Sequence, residues 1–176
     1  RLVYGLYAAA VWFVVVFLVF CPLIIVMPTL AARRWVGRAG VKIAMAAIGL
    51  PLRGRGLENL PATPCVVVAN HASYLDGLVL TAALPARFNF VVQEGAANWP
   101  YVGLVIKRMA VIFVNRSSPR EGARQTRELT RRLQGGESLT VFPEGTFRKE
   151  PGLMKFRDGA FLIAAHAAAP VVPAAI

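Results

Sequence analysis

Residues 2–32 carry no charged side chain. Within them the stretch LVYGLYAAAVWFVVVFLVFCPLIIVM is long enough to cross a hydrocarbon core of about 30 Å as a helix. With 56% hydrophobic residues the whole chain is more apolar than an ordinary soluble domain of its 176 residues, so this segment is expected to meet lipid. Pro22 would kink a helix, and a tilted or half-inserted helix fits the stretch as well as a straight span. A secretory signal peptide is the competing reading. Its apolar core is normally shorter and ends in a small-x-small site; TLAA at 29–32 offers one, but the length of the run favours an anchor.

Twenty basic against nine acidic residues give a net charge of +11, which implies an anionic partner: nucleic acid, acidic lipid or a phosphorylated substrate. The placement of the charge favours lipid. Arg33, Arg34, Arg38 and Lys42 follow the apolar run at once, and Arg34, Arg38 and Lys42, four apart, share one face of a helix. By the positive-inside rule this cluster puts the C-terminal side of the anchor in the cytoplasm, where it would bind anionic headgroups, and Trp35 fits an interfacial belt. The expected location is therefore the inner or cytoplasmic membrane, with the downstream domain on its cytoplasmic face. Nucleic acid is the weakest partner, because the basic residues are not interleaved with stacking aromatics on a strand face. Cys21 and Cys65 form no recognisable disulfide framework, and with His71 and His166 far apart no metal-ligand spacing is present.

After the anchor, VKIAMAAIGLPL reads as a second short apolar helix on or in the membrane interface, so residues 1–52 form an N-terminal two-helix membrane-anchoring segment. Gly and Pro crowd together in RGRGLENLPATP, where a new domain begins. From residue 53 short β-rich runs (CVVVA, FNFVV, VIFV, SLTVF, PVVPAAI) alternate with helical segments. This predicts an α/β fold, a largely parallel or mixed sheet flanked by helices, occupying 53–176 and continuing beyond residue 176 in the whole protein. The best-marked helix has Ser118 as N-cap, Pro119 at its first position and Glu121 at its third, and should run to about Gln134 before GG.

Open α/β sheets bind ligands at the carboxyl ends of their strands. Here the first strand is followed by Asn70 and His71, the second by Gln93 and Glu94, the third by Asn115 and Arg116, and the fourth by FPEGTFR. A spacing of five would separate His71 and Asp76 on a regular helix. SYLD, however, is a capping box with Ser73 as N-cap and Asp76 at N3, which leaves His71 in the preceding loop, free to fold back onto the Asp76 carboxylate. In that arrangement the acid fixes the ring's tautomer and the other nitrogen takes a proton from a hydroxyl. The plainer reading is a capping Asp76 beside an ordinary loop histidine. In PEGT, Glu144 is placed to accept hydrogen bonds from a polyol, although a tight turn also calls for Gly145. Arg116 precedes the Ser118-capped helix, whose free N–H groups favour an anion, so a phosphate would be held by both.

Taken together these blocks resemble the glycerophospholipid acyltransferase family, typified by lysophosphatidic acid acyltransferases. NHASYLD is similar to its Asn-His-x4-Asp block, AVIFVNR to its Phe-(Ile/Val)-(Asp/Asn)-Arg block, FPEGTFR to its Phe-Pro-Glu-Gly-Thr block, and VVPAAI to its Val-Pro-x-x-Ile block, in order over residues 61–176. The resemblance implies that His71 deprotonates the free hydroxyl of a lysophospholipid, with Asp76 as its partner, and that the oxygen attacks the thioester of acyl-CoA or acyl carrier protein; no other cofactor is implied. It further implies that the acceptor, most simply 1-acyl-glycerol-3-phosphate, is bound by Arg116 and by Glu144, Gly145 and Thr146. Asn70, Ser73 and Arg148 complete the expected substrate contacts. Three positions depart from the pattern: Ala110 stands where glycine is usual, Gln93 where a lysine is frequent, and Phe147 where arginine often follows the threonine, the charge falling on Arg148.

Other acceptors, such as a lyso-ornithine lipid, stay open. A lipid ester or thioester hydrolase and a non-catalytic lipid-binding module are the remaining alternatives; no Gly-x-Ser-x-Gly elbow supports the hydrolase. Phe142, Phe147 and Phe156 would line an acyl channel or fill the core. His166, in an alanine-rich helix, reads as structural, and Arg120, Arg124, Arg127, Arg131 and Arg132 as a solvated or membrane-facing helix surface.

Overall fold

The computed structural model describes residues 1–115, 118–147 and 152–176. They divide into two compact units. One takes in 1–55, 77–86 and 97–110, and the other 56–76, 87–96 and 111–176.

The first unit begins with a continuous helix, Leu2–Val26, long and apolar enough to cross a membrane. Its ends are α-helical (α1, Leu2–Val11; α2, Cys21–Val26), but Trp12–Phe20 is wound as a π-helix. The widened stretch ends just ahead of Pro22. A proline lacks the N–H of the α-helical ladder and crowds the carbonyl four residues back, and a π turn is one way a helix accommodates such a defect. Apolar side chains including Leu2, Val3, Leu6, Phe13, Val14 and Leu18 point outward, uncovered by protein.

The next helix, α3 (Leu30–Ala47), corrects the expectation of a separate apolar helix from residue 41. Its start is set by Thr29, whose Oγ1 accepts the Ala32 N–H at 3.2 Å, so the arginine cluster and the apolar run belong to one helix that ends before Gly49, at φ +79°. The arginines also have a task that composition does not show. Arg33 donates from Nε to the Met27 carbonyl at 2.8 Å and from Nη2 to that of Pro28 at 2.9 Å. Arg108, at the end of α5 (Val102–Arg108), reaches the Ile25 carbonyl at 2.6 Å. Orphan carbonyls at the end of α2 are thus capped by guanidinium groups. Burial draws Arg38 below the usual arginine range. Cys21, Ile24, Val36 and Val105 form this unit's core.

The second unit is built on a five-stranded, wholly parallel sheet: β1 (Val66–Ala69), β2 (Phe88–Gln93), β3 (Ile112–Val114), β4 (Ser138–Val141) and β5 (Val171–Ala174), in the spatial order β3-β2-β4-β1-β5. β1 and β4 are buried along their whole length, as central strands of a parallel sheet are, which is why they read as continuous runs rather than alternations. Pro173 lies in β5, at the edge of the sheet formed by the described residues, where a missing N–H costs little. α6 (Pro119–Gln134) starts as the sequence predicts, with Ser118 Oγ accepting the Glu121 N–H at 3.2 Å. It buries Leu129 and Leu133 in a core shared with Val66, Val68, Leu139, Val141 and, from α7 (Gly159–His166), Ala160, Ile163 and Ala164. Arg120, Arg124, Arg127 and Arg131 are left on its exposed side.

Strand order is what positions the chemistry. β1 and β4 are neighbours, with Val68 opposite Val141. The chain therefore leaves these two strands at the same edge of the sheet, and the segments beginning at Asn70 and Phe142 emerge side by side.

In the first unit Gly40 is the tightest point. A Cβ there would lie 2.5 Å from Phe20 Cγ and 2.8 Å from Phe20 Cβ, whereas one at Gly5 meets nothing within 4 Å. Gly40→Ala should destabilise by about 1–3 kcal/mol through overpacking, against a gain of up to about 1 kcal/mol in helix propensity that Gly5→Ala collects without penalty. Thermal unfolding in detergent micelles tests this; melting shifts of the same sign and size for both substitutions would contradict the close approach.

Candidate active site

The residues after β1 form a short loop that bends back on the helix it introduces. α4 (Asp76–Ala83) begins at the acid itself. The Asp76 Oδ2 oxygen accepts backbone N–H groups from Ala72 at 2.7 Å and Ser73 at 2.9 Å. Ser73 Oγ accepts the Leu75 N–H at 3.1 Å, and the Asp76 N–H returns to the Ser73 carbonyl at 3.2 Å. This is a capping box whose carboxylate half is complete and whose hydroxyl half engages one residue early. The Ser73 hydroxyl is thereby engaged in the turn.

The same Asp76 oxygen lies 2.9 Å from His71 Nδ1. Since the oxygen can only accept from the ring, Nδ1 carries the proton and Nε2 is left with its lone pair. Asp76 is buried, and the His71 side chain keeps 18% of its surface exposed. One ring face is covered: Phe142 stacks on it at 4.2 Å between centroids with an interplanar angle of 17°. Phe147 meets the imidazole edge-on at 4.9 Å, and Tyr74 meets Phe147 edge-on at 4.6 Å.

The loop after β4 supplies a second buried carboxylate. Glu144, 3% exposed, accepts the His71 backbone N–H on Oε1 and the Met154 N–H on Oε2, both at 2.7 Å. The residue expected to receive acceptor hydroxyls instead ties three chain segments together. Gly145, at φ +76°, donates to the Phe142 carbonyl at 3.0 Å and closes the turn, a conformation that favours glycine. Thr146 is exposed. Asn70, also expected to touch substrate, exchanges two hydrogen bonds with the Ile176 backbone, accepting its N–H at 2.8 Å and donating to its carbonyl at 3.4 Å; its amide thus extends the β1–β5 pairing by one step. Arg116 and Arg148 lie outside the described residues. Phe156 does not join the group around His71; it stacks on Phe161 at 6.4 Å. His166 is exposed at the end of α7. At the amino end of β1, burial pushes the Cys65 thiol up.

His71, Asp76 and Glu144 therefore converge, with Phe142 and Phe147 against the imidazole. The sequence offered the first pair through the capping box. It offered no signal for the donors to Glu144, since both are backbone groups, or for the aromatic contacts, which depend on β1 and β4 being adjacent.

The fold and this pair define an α/β domain with a histidine-carboxylate pair at the carboxyl edge of its sheet. The family model described as Acyltransferase matches residues 52–176, and the chain belongs to that family. A chloroplastic 1-acyl-sn-glycerol-3-phosphate acyltransferase of Brassica napus is 39% identical over 121 residues, 68% of this chain and 35% of that protein. A lyso-ornithine lipid O-acyltransferase of Rhizobium meliloti is 35% identical over 138 residues, covering 78% of this chain and 46% of that one. The chain thus spans about a third to a half of the length of these curated relatives. The crystal structure of the 1-acyl-sn-glycerophosphate (LPA) acyltransferase PlsC from Thermotoga maritima shares the fold, with a TM-score of 0.74 at 24% identity over 98% of this chain and 72% of that one.

Glu144 provides a direct test of how the site is held. Glu144→Gln keeps the shape but turns one acceptor into an NH2 group facing a backbone donor, which should cost about 1–3 kcal/mol. Thermal unfolding and amide exchange at His71 and Met154 would report it; wild-type stability and protection at both amides would show that the two bonds do not matter.

Proposed function

We propose that this domain transfers a fatty acyl group from the thioester of acyl-CoA or acyl carrier protein to the free hydroxyl of a lysophospholipid at a membrane surface. The preferred acceptor is 1-acyl-glycerol-3-phosphate, which gives phosphatidic acid. The observation that carries the reading is the 2.9 Å contact between His71 Nδ1 and Asp76 Oδ2, in a family whose curated relatives are named for acylating lysophosphatidate or lyso-ornithine lipid.

The chemistry follows from the free lone pair on Nε2. The acceptor hydroxyl binds there, and its proton passes to Nε2 as the oxygen attacks the thioester carbonyl. Asp76 stabilises the imidazolium so formed, and its own charge is kept in place by the N–H groups of Ala72 and Ser73. The tetrahedral adduct collapses, the C–S bond breaks, and the proton on Nε2 goes to the departing thiolate. An ester and a free thiol result, without an acyl-enzyme; the thioester is a co-substrate and no cofactor takes part.

The helix Leu2–Val26 would keep the domain at the bilayer from which a lysolipid is drawn, at the cytoplasmic face of the inner membrane. Arg116, and with it Arg148, would neutralise the acceptor phosphate. A basic acyl-transferring domain beside an anionic lipid pool also gains from electrostatic enrichment of its substrate.

His71→Ala should lower kcat with a lysophosphatidate acceptor by about 10²–10⁴-fold, the usual worth of a general base. Asp76→Asn retains an acceptor for the two loop N–H groups but not the charge, so turnover should fall while the helix stays intact by circular dichroism. Turnover at the wild-type rate by either variant, measured as esterified product from a radiolabelled thioester, would remove the base from this account.

Arg116→Ala should act on binding, raising KM for lysophosphatidate about tenfold or more, as expected for loss of a charge-assisted contact to phosphate, with a smaller change in kcat. An uncharged lysolipid acceptor serves as the comparison; equal effects on both acceptors would place Arg116 elsewhere.

A further inference from the structure

A base does not distinguish one hydroxyl from another. Water that reaches His71 Nε2 is activated as a lipid hydroxyl would be: its oxygen bonds to the thioester carbonyl carbon, the C–S bond breaks, and the proton passes through Nε2 to the thiolate, leaving a free fatty acid and a free thiol. The reading of this domain as a transferase, on which this inference rests, therefore requires something that keeps water off the imidazole until the acceptor hydroxyl arrives.

The aromatic residues around His71 are placed for that task, and they are not equivalent. Phe142 leads out of β4, lies flat against one imidazole face at 4.2 Å, and its carbonyl closes the turn with Gly145, so it belongs to the frame. Phe147 lies past the turn. Its ring stands at 65° to the imidazole at 4.9 Å, and on its other side Tyr74 packs edge-on at 4.6 Å and 87°. Tyr74 is 73% exposed and Phe147 half-buried. The run from Phe142 through His71 and Phe147 to Tyr74 thus leads from the sheet to solvent, and Phe147 is the ring that stands between the base and the outermost aromatic.

Phe147 is also the position where the acyltransferase pattern often carries arginine, so an apolar ring stands here where a charged side chain is usual. The difference matters because a guanidinium would bring its hydration shell with it, whereas a phenyl edge offers water nothing to bond. Removing the ring opens a space whose rim includes the imidazole, a polar site of the kind that admits water.

We infer that Phe147 is the specificity-determining residue that commits the acyl group to transfer rather than hydrolysis, by closing the His71 side of the site to water with Tyr74 as its outer support. The readout is a product ratio, with the palmitate formed in the absence of protein subtracted, so that both products come from folded protein only. Palmitoyl-CoA and 1-acyl-glycerol-3-phosphate are supplied together in mixed micelles, and free palmitate and phosphatidic acid are measured from the same reaction. Phe147→Ala is expected to raise the palmitate-to-phosphatidate ratio at least tenfold, Tyr74→Ala to raise it less, and Phe147→Leu to stay within a few-fold of wild type. A ratio unchanged in Phe147→Ala, even with the total rate reduced, overturns the inference and leaves the transferase reading standing. A wild-type protein that yields palmitate without phosphatidate overturns both.

Discussion

The site depends on one buried carboxylate. Glu144 holds the backbone N–H of His71 on one oxygen and that of Met154 on the other, each at 2.7 Å. A buried carboxylate is tolerated where donors meet it, and among the described residues each oxygen of this one accepts a main-chain N–H. The consequence is positional. His71 sits in a loop, which by itself would leave a base poorly placed, but its backbone is fixed to the turn after β4 while its side chain is fixed to Asp76. With main chain and imidazole anchored to different elements, the ring has little freedom left, which is the preorganisation that the proposed general base calls for.

That arrangement is possible only because β1 and β4 are adjacent in the sheet. In the order β3-β2-β4-β1-β5 the chain passes from β1 over β4 to β2, out to β3, and then back to fill the gap. Two loops far apart in sequence are brought side by side at the carboxyl edge, where parallel sheets place their ligands. The aromatic residues follow from the same adjacency: Phe142 and Phe147 flank the turn of one strand and close on the histidine of the other.

Much of this was legible in the residues and some of it was not, for identifiable reasons. The strands announce themselves as β-branched runs bounded by Gly and Pro, and α6 by its Ser118 cap and its closing glycines, because these signals are local. The approach of His71 to Asp76 was legible too, since a capping box fixes the helix start to within a residue. Strand order was not, because nothing in VVVA or SLTV states which neighbour it takes. The capping of α3 by Thr29 is hidden by the apolar composition around it, so the sequence shows a charge cluster and a short apolar run where the structure has one helix. The contacts of Glu144 to two backbone amides were not legible, because such partners carry no letter in the sequence. The bonds of the Asn70 amide to the Ile176 backbone are hidden for the same reason.

Asp76 Oδ2 serves two masters at once, gathering the N–H groups that begin α4 and the imidazole of His71. Folding the first turn of the helix and seating the imidazole are therefore a single event rather than two. A chain that has not yet formed this turn also lacks its imidazole contact, so the pair reports on the order of the helix start.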